Sequence, residues 1–538
     1  MYKLHRSTFR NAIIAGVTAL LLIAGLVTFN TGNEAEARNS KVKNVIMMIP
    51  DGNSIEASTI ARYYNNGEPM VLDEIAVGMT KTHWNQGPIT DSAPGGTAYA
   101  IGSKTDDKHV GVLPGGVPAA TLIEASRLKG KATGIVSTSE VMHATPADFT
   151  AHDVDRANYN SLMKQQIYNG LDVVLGGGNQ FFTPEAGGKR ADGKDLRETI
   201  VSLGYEYVTT REEMFNSRAK KIWGAFAEAD MMYEVDRIAT GSQEPTLAEM
   251  TKKAIDILSK DKDGFFLMVE GSKVDWAAHA NDTVGMVGDI LAYDDAVGVA
   301  LEFAKKDGQT VVISSSDHGT GGPIIGGVNP NYSSVTFDES INKLLSAKIS
   351  LDYANELLEG ADEARVREIY AEYFGITDPT SEEIALALEG KINNVISDRA
   401  NISWTYGGHI GGDVGLYSYA PRGFEQLGGV VDNTEVGRYM ERVLGVNLDA
   451  TSKRLFVNAK EAFERKGAEV TLDTSDMDNP LLIVKKGNNT LELFGYTNIV
   501  KLNGKEIKLE GLVVTNKIDG SYSIENSYVP EQAVKLLK

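Results

Sequence analysis

The residues best suited to chemistry are few, and their spacing narrows what they could do. Eight histidines and no cysteine occur in 538 residues, so a strong metal site must draw on imidazole and carboxylate rather than thiolate. Asp275 and His279 lie four apart, and on a helix that spacing stacks both side chains on one face. Asp317 and His318 are adjacent, and His409 follows Gly407-Gly408, a loop able to approach a site closely. An ion with His and Asp ligands, no sulfur and open positions reads as zinc or a similar divalent metal, and the same ligands accept cobalt. A further stretch, Thr90-Asp91-Ser92-Ala93-Pro94-Gly95-Gly96-Thr97-Ala98, puts proline and small residues after Ser92, as in the first turn of a helix. A hydroxyl at the positive end of a helix dipole, beside a metal, can lose its proton and attack phosphorus. Each element alone has an ordinary reading: a solvated i,i+4 pair, a turn, a helix cap. Their combination is what carries weight.

These side chains need elements to hold them, and the apolar runs supply candidates. Val45–Ile49 leads into Pro50-Asp51-Gly52, Ala132–Val136 into three hydroxyl residues, and Leu171–Leu175 into a triple glycine. Phe265–Val269 ends at Glu270-Gly271, and Val311–Ile313 passes three serines to reach Asp317-His318-Gly319. Short apolar runs with such punctuation suit strands buried on both faces. Helical patterns over Ala119–Leu128, Leu247–Leu258 and Val284–Phe303 alternate with them, which predicts an α/β fold with a doubly wound, mostly parallel sheet. Asp51, Glu270 and Asp317 then fall at the carboxyl ends of three strands, the edge where ligands bind in such sheets. Three carboxylates gathered there repel one another unless something positive sits among them. That reasoning also points to a metal.

The ordered blocks resemble the alkaline phosphatases over roughly residues 42–420, on Pro50-Asp51-Gly52, Thr90-Asp91-Ser92-Ala93, His143-Ala144-Thr145-Pro146-Ala147, Val269-Glu270-Gly271 through His279, and Ser316-Asp317-His318-Gly319 with Gly407-Gly408-His409. The resemblance implies phosphate monoester hydrolysis through a phosphoserine on Ser92 at a site of two zinc ions and one magnesium. It assigns one zinc to Asp275, His279 and His409, and the second to Asp51, Asp317, His318 and the oxygen of Ser92. Asp51, Thr145 and Glu270 would hold magnesium. Arg156 would clamp phosphate, oriented by Asp91, because a planar donor fork fits two phosphoryl oxygens. His143 stands where some relatives carry aspartate, and its imidazole would bond magnesium-bound water or bias that position towards zinc. Trp276 replaces a lysine or histidine that reaches towards phosphate through water. Pro94-Gly95-Gly96 replaces commoner small residues and would loosen the helix start, and Asn53-Ser54 replaces a frequent Met-Gly. His83, His109 and His152 match no block and read as surface or structural residues.

Composition bounds the rest. Acidic residues outnumber basic ones 73 to 53, for a formal charge of -20, which argues against binding nucleic-acid backbones. Lys3, Arg6 and Arg10, an apolar run from Ala12 to Phe29 and then Ala35-Glu36-Ala37 read as a signal peptide over 1–37, with a retained anchor as the other reading. Either places the chain outside the cytoplasm, secreted, periplasmic or associated with the cell envelope. The expected organisation is a catalytic unit over 38–455, interrupted by a helical lid at about 325–400 marked by the Thr380/Glu383 capping box. A β-rich accessory unit is expected over 456–538, where short apolar runs alternate with Gly-Asn, Asn-Gly and Asp-Gly. Two rival functions remain. One is a phosphodiesterase or sulfatase of the same superfamily; the Thr145, Glu270 and Arg156 set favours monoesters over diesters. The other is an exported metal-binding or wall-associated protein without catalysis, against which Ser92 argues. A homodimer is one assembly that the sequence leaves open.

Overall fold

Residues 42–184, 188–190, 193–329 and 331–537 are described by a computed structural model; the signal expected over 1–37 lies outside the described residues. The core is a ten-stranded sheet. In chain order its strands are β1 (Asn44–Pro50), β2 (Ala76–Lys81), β3 (Ala132–Glu140), β4 (Val173–Gly177), β5 (Glu206–Val208), β6 (Ile222–Ala225), β7 (Phe265–Gly271), β8 (Thr310–Ser315), β9 (Val414–Tyr419) and β10 (Gly429–Asp432). Their order across the sheet is β10-β2-β9-β8-β1-β7-β3-β4-β6-β5. Only β9 runs against its neighbours. Every residue of β1 and β7 is buried, as expected for strands covered by helices on both faces. All five strands expected from apolar runs are present, and β3 extends past its apolar run through Ser137-Thr138-Ser139 to Glu140.

The helices that matter here are α1 (Ser92–Ile101), α2 (Ala144–Asp148), α3 (Tyr159–Asn169), α4 (Lys273–His279), α5 (Thr283–Asp307) and α6 (Leu351–Leu358). α5 covers the expected Val284–Phe303 pattern, and Leu247–Leu258 is a helix with those bounds. The Ala119–Leu128 pattern begins later, at Leu122, because Thr121 takes the N-cap with Glu124 completing a capping box. Between 341 and 399 the chain is helical, and the Thr380/Glu383 box opens the helix Ser381–Leu388. Beyond it, five strands from Glu469 to Lys508 form an antiparallel meander, with turns at Gly487-Asn488 and Asn503-Gly504. Val514–Ile518 and Ser521–Val529 pair around Asp519-Gly520. Leu512 precedes the strand expected to contain it and packs instead with Ala120, Leu455, Phe456 and Val514. Asn498 Nδ2 donates to the Tyr168 carbonyl at 2.7 Å and Asn516 Nδ2 to the Gly116 carbonyl at 2.7 Å, so this β layer is bonded to the α/β layer. Residues 422–424 form a turn with Gly423 at φ 93°. Among the described residues no helix is long and apolar enough to cross a membrane.

One buried carboxylate fixes how the helical insertion joins the helices at the site. Asp282 caps α5, its Oδ1 accepting from the amides of Val284 at 2.9 Å and Gly285 at 3.0 Å. Its Oδ2 accepts from the Leu351 amide at the start of α6, at 2.8 Å. Asp236 accepts from the neighbouring Ser350 amide at 2.7 Å. Asp282→Ala removes the cap and strands a buried amide, which together cost about 2–4 kcal/mol. Urea unfolding should show a lower midpoint at unchanged slope, and a loss under about 1 kcal/mol would mean that the insertion is held by packing alone.

Candidate functional site

The carboxyl edge of the sheet is where the sequence blocks meet. β1 delivers Asp51, fully buried, and then Gly52 at φ 72°. A Cβ on Gly52 would lie 2.6 Å from Asp275 Oδ1, so glycine is required both for the left-handed turn and for the approach of α4. The Gly52 amide donates to Asp317 Oδ1 at 3.2 Å and the Asn53 amide to Ser316 Oγ at 2.9 Å, which locks the ends of β1 and β8 together. β7 ends at Glu270-Gly271 and hands on to α4, where Asp275 and His279 sit one turn apart with His279 Nε2 3.3 Å from Asp275 Oδ2. His409 is brought in by a short antiparallel pairing of Gly319–Thr320 with His409–Ile410.

Ser92 opens α1, with Asp91 as its N-cap. Its Oγ is buried 3.2 Å from His318 Nε2. The expectation that Pro94-Gly95-Gly96 loosens this helix start is corrected here, since the Gly95 amide closes the first turn onto the Asp91 carbonyl at 3.1 Å. The glycines serve close packing instead. A Cβ at position 95 would lie 3.0 Å from Asp317 Cβ, and one at 96 would lie 2.3 Å from Asp148 Oδ2.

The electrostatics of this cluster call for a cation. Asp51 is held well above the usual carboxylate range by burial first, then by the charges of Asp317, Asp275 and Glu270. Burial likewise pushes Glu270 up to about 8, against hydrogen bonds from Ser272, Thr145 and Ser139. Asp51 Oδ1, Asp317 Oδ2 and Glu270 Oε1 are buried and accept no hydrogen bond, an arrangement that costs energy unless something positive is there. Ligand atoms of Asp51, Asp317 and His318 lie within 4.8 Å of one another, as do those of Asp275, His318 and His409. His279 joins the second group, with its Nε2 3.0 Å from His409 Nε2.

The imidazoles are turned for ligation. His279 Nδ1 donates to the Gly407 carbonyl at 2.8 Å and His409 Nδ1 to the Thr90 carbonyl at 2.8 Å. Each Nε2 lone pair is then left facing the other, as in metal-binding histidines whose second nitrogen is tied to a carbonyl. The hydrogen bond that His279 donates to the Asp275 carboxylate pushes the imidazole pKa up to about 9. Burial works to raise Asp275, but His279, His318 and His409 hold its carboxyl below the ordinary range. The residues present therefore fit divalent cations.

Arg156 faces the same space. Its Nη1 donates to Asp91 Oδ1 at 2.6 Å, and its Nη2 meets His143 Nε2 at 3.1 Å. A guanidinium can only donate, so His143 must be the acceptor and neutral. Burial, then the charge of Arg156, pushes its pKa down to about 3. Trp276 packs edge-on against His143 with ring centroids 5.4 Å apart, and Lys273 Nζ lies 4.5 Å from the Trp276 ring centroid. The expected site residues Asp51, Asp91, Ser92, His143, Thr145, Arg156, Glu270, Asp275, Trp276, His279, Asp317, His318 and His409 thus gather in one region. Thr145 Oγ1 is 3.4 Å from Asp51 Oδ2. His152 is buried against Glu124 at 3.1 Å, His83 is exposed and His109 half-buried, in keeping with surface or structural roles. Sequence reasoning missed Thr320, whose Oγ1 donates to Asp275 Oδ1 at 2.6 Å and sits 3.2 Å from His318 Nδ1. Its place two residues after His318, in a strand-end block rich in polar residues, was the available signal. Ser139 and Ser272, beside Glu270, offered none.

Known proteins share this arrangement of chain. The family model for alkaline phosphatase matches residues 42–446. Alkaline phosphatase 3 of Bacillus subtilis is 34% identical over 479 residues, covering 84% of this chain and 100% of that protein. The alkaline phosphatase of Thermus thermophilus superposes with a TM-score of 0.70 at 29% identity, covering 76% of this chain and 92% of its own. A histidine-to-aspartate mutant of TAB5 alkaline phosphatase, solved with Mg bound in its M3 site, superposes with a TM-score of 0.57 at 27% identity, covering 76% and 99%. With a family match across most of its length and a relative aligned end to end, the chain belongs to the alkaline phosphatase family.

Proposed function

We propose that this chain hydrolyses phosphate monoesters through a phosphoserine formed on Ser92. The observation that carries the reading is the Ser92 Oγ, buried at a helix start 3.2 Å from His318 Nε2, beside carboxylates of Asp51, Asp317 and Glu270 that each keep one oxygen without a hydrogen bond. Alkaline phosphatases are metal-dependent, and we assign one zinc to Asp275, His279 and His409 and a second to Asp51, Asp317 and His318. The converging Nε2 atoms and the orphaned carboxylate oxygens support these two sets. Asp51, Thr145 and Glu270 are the set we assign to magnesium, a reading supported by the Thr145 Oγ1 3.4 Å from Asp51 Oδ2 and by the buried Glu270 carboxyl, which the Thr145 hydroxyl also reaches. Such ions supply a deprotonated, activated hydroxyl and charge stabilisation for both apical oxygens of an in-line displacement.

The chain's own residues account for the remaining steps. Ser92 Oγ forms a bond to phosphorus as the ester P–O bond breaks, and the leaving oxygen takes up a proton. Water then attacks the phosphoserine, releasing orthophosphate and restoring the hydroxyl. The dipole of α1 favours negative charge building at its N-terminus. The Arg156 guanidinium presents a fork to two equatorial oxygens, and its orientation is set by two holders. Asp91 is one; burial opposes its charge, yet Arg156, His318 and His409 keep its carboxyl low and ionised. His143 is the other, accepting from Nη2 so that the fork cannot swing away. We also read 1–37 as an export signal, 38–455 as the catalytic unit and 456–538 as an accessory unit.

Ser92→Ala is expected to lower kcat/KM for an aryl phosphate monoester at least about a thousandfold while leaving metal content unchanged. Unchanged turnover in that variant would return the chain to the non-catalytic reading, and faster hydrolysis of the bis-aryl diester by the wild type would favour a phosphodiesterase. Arg156→Ala is expected to cost about a hundred- to a thousandfold in kcat/KM, whereas His143→Ala, which removes one of two holders, costs about tenfold. Steady-state kinetics on both variants check this, and equal losses would show that His143 does more than orient the guanidinium.

A further inference from the structure

Thr320 belongs to neither proposed zinc set, yet it adjoins two members of each. Its hydroxyl donates to Asp275 Oδ1 at 2.6 Å, and the same Oγ1 lies 3.2 Å from His318 Nδ1. Its amide donates to the carbonyl of Gly52, the residue after Asp51, at 2.9 Å. On the short antiparallel ladder it stands opposite His409. Thr320 is fully buried, so water does not replace a bond that is lost there.

A hydroxyl has one proton to give. Here it goes to Asp275, because an ionised carboxylate only accepts. Oγ1 therefore accepts from His318, which puts that imidazole's proton on Nδ1. The Nε2 lone pair is left on the far side of the ring, 3.2 Å from Ser92 Oγ, 3.3 Å from Asp317 Oδ2 and 3.5 Å from Asp51 Oδ1. The choice of nitrogen matters because His318 stands between the two sets. Its Nδ1 is 4.0 Å from Asp275 Oδ1, its ring stacks on His409 with centroids 3.7 Å apart, and its ligand atoms fall within reach of both groups. In His279 and His409 the Nδ1 proton is tied to a main-chain carbonyl. For His318 the same task falls to a side chain, whose own proton is committed to a ligand of the other set.

We propose that Thr320 is a positioning residue for both cation sets at once. Its hydroxyl allots His318 to the set of Asp51 and Asp317, and it holds the Asp275 carboxylate in the set of His279 and His409. The proposal rests on the two-zinc reading of these residues. A bond of this kind to one ligand is worth about ten- to a hundredfold in metal affinity, and here one hydroxyl supplies two. Removing it strands a buried carboxylate oxygen and a buried N–H. The contacts with Gly52 and His409 survive, because they are made by the main chain.

Thr320→Val keeps the shape of the side chain and loses the hydroxyl, whereas Thr320→Ser keeps the hydroxyl. Calorimetric titration of the metal-stripped full-length protein with zinc, in buffer containing magnesium, reads both binding steps without any hydrolysis. Thr320→Val is expected to weaken each step about tenfold or more, and Thr320→Ser to stay near the wild type. Weakening of one step alone would make Thr320 the support of a single ligand, and unchanged affinity at both would leave it a packing residue; either result overturns the proposal. A serine variant as weak as the valine one does so too, since the loss would then follow the methyl group. Circular dichroism checks that the stripped proteins are folded, and Thr320→Ala, read in the same way, replaces the valine change if that one is not. A wild type that takes up no zinc overturns this proposal together with the zinc assignment. Failure of the contrast among variants leaves the zinc sets and Ser92 as they stand.

Discussion

Asp51, Glu270, Asp275 and Asp317 are all buried at one edge of one sheet, and this crowding of like charge is the constraint around which the molecule is built. Buried carboxylates this close cannot all be ionised without compensation, and the chain supplies too little of it. Amides from Gly52 and His318 reach Asp317 Oδ1, and Thr320 reaches Asp275, yet three carboxylate oxygens still accept nothing. The apparent defect is what makes the place a cation site. A group that were fully satisfied by its own protein would have no lone pair left to offer.

Holding such a cluster together requires rigidity from elsewhere. The fully buried parallel strands β1 and β7, with β8 alongside, set the spacing of the carboxylates, because each ligand block begins where a strand ends. The glycines at 52 and 95 allow close approach to Asp275 and Asp317, and Gly96 lets α1 pack against Asp148. Asp282 and Asp236 then bind the helical insertion to α5 and its neighbours through backbone amides. The insertion therefore braces the segment that follows His279 as well as covering it.

Much of this was legible in the sequence because the physics is local. An apolar run that stops at Asp or Glu marks a strand end, and a D-x-x-x-H spacing marks a helix face. Thus the carboxylates at 51, 270 and 317 and the pair 275/279 could be placed on one edge without coordinates. What could not be read was contact between segments with no shared pattern. His143 and Arg156 are thirteen residues apart across a loop, and nothing in their spacing announces that one nitrogen accepts from the other. The same holds for Thr320, whose partner Asp275 lies on a different element, and for the glycines after Ser92. Those glycines read as a weakness by helix propensity, although tertiary packing gives them their purpose.

The pairing of Arg156 with His143 also bears on how a substitution changes chemistry without touching a ligand. Aspartate at this position would bring a negative charge within reach of the guanidinium and tighten that contact through charge. A neutral imidazole accepts one hydrogen bond and adds no charge, so the guanidinium is oriented with Asp91 as the charged partner it is bonded to. Trp276 packs edge-on against that imidazole. The neighbouring Lys273, which pairs with Asp230 and lies over the rings of Tyr233 and Trp276, is thereby turned away from the reaction centre. Under the proposed mechanism, Arg156 is the one arginine that meets the equatorial oxygens, so its two holders, Asp91 and His143, govern how well it does so.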